Sequence, residues 1–298
     1  MSYDRHGNTT YSISDADKQY VPWQIPCRKC LPCRLNTAAE KSIRCYHESK
    51  MHEHAIFLTL TYDSENLKSN KLEYPDFQNF MKALRKKTAN KLSYVVTGEY
   101  GEINKRPHWH ALIFGYWPND YTKERTTPRG DNIYGSKTIN TLWKKGQTEF
   151  GEVSIESANY VARYAAKKLV HGNDQDHDFH PIHKTSSRNA IGKQWIEKYW
   201  EQTFTHGYVT LPNGRRAKIP RYYEDWLKKH KPLNWKHYVT TKKPEIMENA
   251  EKMFQKELEQ DKQNLINTGH HWKTKRRKDV KLKILNSKFK QLQEKLSL

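Results

Sequence analysis

The sequence contains no apolar run long enough to cross a bilayer, and its opening residues, MSYDRHGNTTYS, lack the hydrophobic core of a secretory signal. The expectation is a cytoplasmic protein with no membrane partner. A G-x-x-x-x-G-K-S/T phosphate loop is also missing, which excludes a recognisable helicase or NTPase within the chain, and no internal repeat is present. Acidic residues are scarce against basic ones: 33 Asp and Glu face 53 Lys and Arg, for a net charge of +20. Such a surplus calls for a polyanionic partner, and without a membrane segment nucleic acid is the expected one. Aromatics, by contrast, are plentiful for so polar a chain, with 9 Trp and 18 Tyr. Some of them suit stacking on unpaired bases, while most must serve the core.

Cysteine is confined to positions 27, 30, 33 and 45. Without a secretory signal, free or metal-bound thiolates are expected rather than disulfides. The Cys27-x-x-Cys30-x-x-Cys33 spacing with Cys45 downstream suggests a structural Zn²⁺ site, with His47 able to replace one ligand. Such a site would pin the N-terminal arm and turn Arg28, Lys29 and Arg34 toward DNA. The alternative for Cys45, placed mid-helix, is a small buried residue.

The 298 residues can bury a sizeable core. Residues 1–26 read as an irregular arm, 27–170 as a core with a cysteine-rich entry segment, and 171–242 as an extension packed on or near it. Residues 243–298 read as a basic helical tail containing Lys273-Thr274-Lys275-Arg276-Arg277-Lys278. Within the core, apolar periodicity predicts helices over 35–50, 75–88 and 158–170 and a short one near Leu142-Trp143. It predicts strands over 55–62, 92–99, 108–115 and 152–156. Ser157 is the expected cap of the last helix. Residues 100–105 read as a hairpin connection, 116–150 as a long surface excursion, and the His-rich 171–195 as a loop. This element order predicts an α+β fold, an antiparallel sheet with helices packed on one face.

Two segments carry chemistry. In Arg106-Pro107-His108-Trp109-His110, an extended backbone turns both histidines to one face and Trp109 to the other. If 92–99 pairs with 108–115, Glu99 comes beside the imidazoles, with Glu102 in the connection as second candidate. Two imidazoles and a carboxylate suit Mg²⁺, Mn²⁺ or another first-row metal with open positions. The plainer alternative is the polar face of a half-exposed strand. His52-Glu53-His54 repeats the spacing without a matching carboxylate hairpin and is assigned no metal.

In Tyr160-Val161-Ala162-Arg163-Tyr164-Ala165-Ala166-Lys167-Lys168, the two tyrosines and Lys167 or Lys168 fall on one helical stripe. A phenol with a pKa of about 10 needs a nearby cation or base before it attacks phosphorus. Lys167 can supply that positive charge, and Arg163 and Lys168 can meet phosphates. The plainer alternative is an amphipathic helix whose tyrosines pack on the sheet.

Together with Phe57-Leu58-Thr59-Leu60-Thr61-Tyr62, these segments resemble the HUH endonuclease superfamily of rolling-circle replication initiators. Its three motifs are an apolar-Thr strand, a His-hydrophobic-His strand and a tyrosine helix. The Y-x-x-x-Y-x-x-K form resembles initiators of small single-stranded DNA phages. The segments Pro26 to Leu35, Gly98 to Gly101 and Arg106 to His110 resemble those of microviruses, the gokushovirus group in particular. The resemblance runs from about Ile25 to Lys168. It implies an HUH, ferredoxin-like nuclease core with His108, His110 and Glu99 as ligands of Mg²⁺ or Mn²⁺, Tyr160 and Tyr164 as nucleophiles, and Lys167 as the motif lysine. The implied reaction is transesterification on single-stranded or melted origin DNA, through a 5′-phosphotyrosine and a free 3′-OH. Host helicase and polymerase as partners and the bacterial host cytoplasm as location follow from the same resemblance. A plasmid-type initiator or transposase would share this chemistry. A zinc-containing nucleic-acid-binding protein without catalysis is the alternative from another class.

Overall fold

The computed structural model describes residues 2–3, 9–10, 26–27, 30–67, 71–88, 91–101, 106–167, 182–186, 190–212, 214–268, 280–285 and 287. Most of the arm over 1–26 and the basic run Lys273 to Lys278 lie outside them. The chain divides into two compact units, one of residues 25–200 and 208–223, the other of residues 1–24, 201–207 and 224–298.

In the first unit the elements are α1 (Leu31–Ser49), β1 (Ala55–Thr61), α2 (Tyr74–Thr88), β2 (Ser93–Tyr100), β3 (Pro107–Phe114), β4 (Tyr121–Thr126) and β5 (Asn132–Ser136). They continue with α3 (Lys137–Trp143), β6 (Thr148–Glu152), α4 (Ile155–Lys167) and β7 (Ile182–Thr185). The strands form one seven-stranded sheet in the order β4-β5-β6-β1-β3-β2-β7, antiparallel at every pairing. The fold is α+β, as the element order predicted.

Helices, however, cover both faces of this sheet rather than one. Ile56, Leu58 and Leu60 of β1 pair with Ile113, Ala111 and Trp109 of β3, and this face packs on Phe77, Phe80, Met81 and Leu84 of α2 and Trp143 of α3. On the opposite face, Val95, Leu112 and Phe114 meet Cys45 of α1 and Ala158 and Val161 of α4. The physical reason lies in the central strands. Every residue of β2 from Tyr94 to Glu99 is buried, and Ala111 to Phe114 of β3 are buried without a break. A strand that is apolar on both sides needs a layer on each. Behind the second face, Ala38 of α1 and Ala162 of α4 form a small buried contact that lets the two helices approach closely.

Three local features differ from expectation. The helix carrying the tyrosines starts at Ile155, because Ser154 rather than Ser157 is its cap. The Ser154 N–H donates to Ser157 Oγ at 2.9 Å and the Ser157 N–H donates to Ser154 Oγ at 3.1 Å, a reciprocal arrangement that satisfies two free donors. This earlier start also moves the strand before it, which spans Thr148–Glu152 instead of 152–156. Finally, two segments read as loops contribute strands to the sheet. Hairpin β4-β5 is held by aromatic contacts of Tyr134 with Tyr121 and Phe150, both 5.6 Å between centroids. Short, polar β7 pairs along the edge of β2.

Helices α5 (Lys193–His206) and α6 (Arg221–His230) each begin in the first unit and end in the second, followed by α7 (Pro232–His237) and α8 (Lys243–Thr268). In the second unit Phe204, Leu227, Trp235, Tyr238 and Val239 are buried, and Glu224 accepts hydrogen bonds from Tyr238 Oη at 3.4 Å and Lys243 Nζ at 3.0 Å. Much of α8 is exposed, with Met253, Phe254 and Ile266 at the surface.

His47 of α1 is locked inside the first unit. Its ring stacks on Trp195 at 3.6 Å between centroids, and its Nδ1 lies 3.0 Å from Tyr223 Oη. Burial lowers its pKa from 6.5 to about 3. The unfolded chain therefore binds a proton below pH 6.5 that the folded chain refuses. The stability this contributes is complete above the unfolded pKa and is lost as pH falls toward the folded one, by about 1.4 kcal/mol per pH unit. Urea unfolding above pH 6.5 and at about pH 5 should show this loss, and His47→Phe, which keeps the ring stack, should shrink it. Equal acid sensitivity in both proteins would reject the assignment.

Candidate metal and tyrosine site

Strand register builds the site. Across β2-β3, Glu99 stands opposite His108 and Thr97 opposite His110; across β1-β3, Thr61 and Thr59 stand opposite the same two histidines. All lie on the face backed by α1 and α4, because His108 and His110 share the side of Leu112 and Phe114. The hairpin connection closes through Gly101 N–H, which donates to the Arg106 carbonyl at 3.0 Å. Trp109, between the histidines, points the other way into the core, where it is fully buried and donates from Nε1 to Tyr62 Oη at 3.0 Å. This anchor fixes the strand on which both imidazoles ride.

Glu99 Oε1 lies 2.9 Å from His110 Nε2 and 3.1 Å from His108 Nε2. Tyr160 of α4 donates its hydroxyl to the same oxygen. Three side chains from two elements thus converge on one oxygen of a buried carboxylate. On its far side, His108 Nδ1 lies 3.2 Å from the Arg106 carbonyl, which can only accept, so the Nδ1 proton is spent there. A neutral His108 in that tautomer turns a lone pair toward Glu99. Two acceptors face each other, and a proton or a cation between them removes the repulsion.

His110 is held by Thr59 Oγ1, 3.1 Å from its Nδ1, and by two rings. Phe57 stacks on it at 5.5 Å, and Tyr160 meets it edge-on at 4.8 Å. Burial pushes its pKa down, and the Glu99 hydrogen bond and charge only partly oppose that. For Glu99 burial pushes upward, but the hydrogen bonds and charges of His108 and His110 outweigh it and hold the carboxyl well below its usual range.

Residues absent from the sequence reading complete the surroundings. On β7, His183 stands opposite Thr97, and Lys41 of α1 contacts its Nε2. Burial lowers the pKa of that lysine. On the β1 side, a groove of about 470 Å³ is lined by Thr59, Thr61, Arg125, Gln147 and Glu149, with Arg125 and Glu149 paired at 2.6 Å. These groups come from distant strands and helices, and no local spacing announces them. Phe57 is the exception, since it lies inside the apolar-Thr segment.

The proposed fourth zinc ligand falls elsewhere. Cys45 is fully buried between α1 and the sheet, where burial raises its thiol to about 12. His47, the substitute ligand, is committed to Trp195 and Tyr223. Cys27, Cys30 and Cys33, by contrast, come together at the start of α1. Arg163 is half-buried and donates to Asn159 Oδ1 at 3.2 Å, and Arg34 is half-buried in the first turn of α1. The side chains of Tyr164 and Lys167, and the whole of Arg28, Lys29, Glu102 and Lys168, lie outside the described residues.

A family model of replication-associated proteins, of the ORF2 type, matches residues 55–169. Replication-associated protein VP4 of Bdellovibrio phage phiMH2K is 53% identical over 306 residues, covering 99% of this chain and 97% of the relative. The chain belongs to the replication-associated protein family of microviruses. Two further members are more distant. Replication-associated protein ORF2 of Spiroplasma virus 4 is 32% identical, covering 75% of this chain and 74% of its own. Replication-associated protein ORF4 of Chlamydia phage 1 is 33% identical, covering 69% and 54%. No solved structure matches the chain. In this family member the matched segment runs from β1 through α4, so it encloses Glu99, both histidines and both tyrosines. The three clustered cysteines precede it.

Gly98 shows how tightly the site is set. It stands opposite Trp109, and a Cβ there would lie 2.6 Å from the indole ring. Gly98→Ala should therefore destabilise the protein by about 1–3 kcal/mol, as overpacked cores do. A denaturant midpoint equal to the wild type would show that Trp109 does not hold the strand as described.

Proposed function

We propose that this chain is the replication initiator endonuclease of a single-stranded DNA phage, which nicks and rejoins its origin by tyrosine transesterification. The convergence of Tyr160 Oη, His108 Nε2 and His110 Nε2 on Glu99 Oε1 carries this reading. Placement within a replication-associated family supports the biological role.

The donor set fits a divalent cation. Neighbouring ligands on a cation with bonds of roughly 2.1 Å at right angles lie about 3.0 Å apart. The Glu99 oxygen sits 2.9 Å and 3.1 Å from the two imidazole nitrogens. Mg²⁺ or Mn²⁺ bound there would polarise the scissile phosphate as a Lewis acid.

The chain's own residues do the rest. The hydrogen bond to Glu99 fixes the Tyr160 hydroxyl beside the imidazoles and receives the phenol proton as attack begins. A bond forms between the phenol oxygen and phosphorus while the bond from phosphorus to O3′ breaks. The 3′ oxygen then takes up a proton and is left as a primer end, while the 5′-phosphate stays on tyrosine. One phosphoester replaces another, so the exchange needs no nucleotide hydrolysis. Tyr164, one helical turn on, supplies a second nucleophile, so one tyrosine can hold the 5′ end while the other cuts the regenerated origin. Lys167 is assigned to charge stabilisation, and Arg28, Lys29, Arg34, Arg163 and Lys168 to phosphate contacts. The nicking core occupies residues 27–170, and the extension over 171–242 and the basic tail over 243–298 add affinity for DNA. Strand separation and synthesis fall to the host helicase and polymerase in the host cytoplasm.

A single-stranded origin pool incubated with Mg²⁺ or Mn²⁺ should yield a covalent protein–DNA adduct. Tyr160→Phe with Tyr164→Phe should abolish it, and Glu99→Gln should slow its formation by roughly 100-fold or more, beyond what supporting residues cost. His108→Ala with His110→Ala should remove metal-dependent cleavage while leaving salt-sensitive DNA binding. An adduct that survives in the double-tyrosine variant would reject the mechanism.

A further inference from the structure

We infer that Cys27, Cys30 and Cys33 form a three-thiolate Zn²⁺ site, separate from the histidine–glutamate centre and independent of the nicking mechanism. The three sulfurs lie within 4.8 Å of one another, and Cys27 Sγ is 3.8 Å from Cys33 Sγ. Zn–S bonds of about 2.3 Å in a tetrahedron place neighbouring sulfurs about 3.8 Å apart. A disulfide needs roughly 2.05 Å, so the pair is spaced for a shared ion rather than for a covalent bond.

The local backbone favours thiolates. Cys30 is the residue preceding α1 and Cys33 sits in its first turn, next to the helix's free N–H groups and its positive dipole end. The Cys30 N–H donates to Cys27 Sγ at 3.3 Å, which stabilises negative charge on that sulfur. Soft, anionic sulfur ligands select Zn²⁺ over Mg²⁺ or Mn²⁺. Among the described residues no fourth protein ligand joins the cluster, since Cys45 packs between α1 and the sheet. The site therefore offers three thiolates and one open corner for water. An ion there ties the chain ahead of α1 to the first turn of the helix whose Ala38 contacts Ala162 of the tyrosine helix.

The test uses full-length protein purified under reductant without chelator. Elemental analysis should find about one zinc per chain, and Co²⁺ replacement should give sulfur-to-metal charge-transfer absorption with tetrahedral d–d bands. Cys27→Ser and Cys33→Ser should each weaken zinc binding beyond the roughly 100-fold that a supporting residue costs. Cys45→Ala and the His108→Ala/His110→Ala protein should retain it. The inference is overturned if wild type binds zinc no more tightly than a Cys27→Ser/Cys30→Ser/Cys33→Ser triple variant. Loss of zinc in Cys45→Ala with an unchanged circular dichroism spectrum overturns it too, as does a native Cys27–Cys33 disulfide without zinc.

Discussion

A carboxylate buried in a protein interior is expensive unless several donors or a cation surround it. Glu99 is such a group, and much of the first unit is arranged around it. Its oxygen is reached by two imidazoles from β3 and a phenol from α4. Removing any one of the three leaves the charge less well compensated, so β2, β3 and α4 are coupled through one atom. The orientation of each imidazole is fixed in turn by another contact: the Arg106 carbonyl for His108, Thr59 and Phe57 for His110. Such supporting contacts hold a site to the tolerance chemistry requires.

The two-sided sheet explains why that tolerance can be met. One face is a dense aromatic layer in which Trp109 meets Phe77 and Tyr74. The other combines an apolar end, at Leu112 and Phe114, with a polar end, at His108, His110, Thr97 and Glu99. β3 therefore changes character along its length on one side only, while its core side stays apolar throughout. The polar end is held flat by the apolar layer behind it. Close packing transmits small displacements, so a methyl group at Gly98 bears on the histidines through the indole they flank.

The central elements were legible because their signals are local. Alternation placed both histidines on one face, the length of the connection paired Glu99 with His108, and the 3.6-residue period put the tyrosines on a helix. What escaped was non-local or ambiguous. Two layers of helix instead of one follow from unbroken apolar runs in β2 and β3, which a strand reading by alternation does not score. Ser154 and Ser157 are both good caps, and only their reciprocal hydrogen bonds show which begins the helix. Lys41 and His183 meet across 142 positions of sequence. Cys45 matched a ligand by residue type, but its place in α1 turns it toward the sheet, away from the helix's N-terminus where the other thiols gather.

If both candidate centres hold metal, chemistry as well as position keeps them apart. A mixed nitrogen–oxygen set with one carboxylate and open positions suits a hard ion that must also accept phosphate oxygens. Three thiolates at a helix N-terminus bind a soft ion tightly and make poor ligands for a hard one. A cell supplying both ions would load each centre correctly without any transfer between them. Chelators of graded strength would then separate the two: a weak one strips the histidine–glutamate centre first, because a site that must release product phosphate cannot hold its ion as firmly as a site that serves only to fasten a helix.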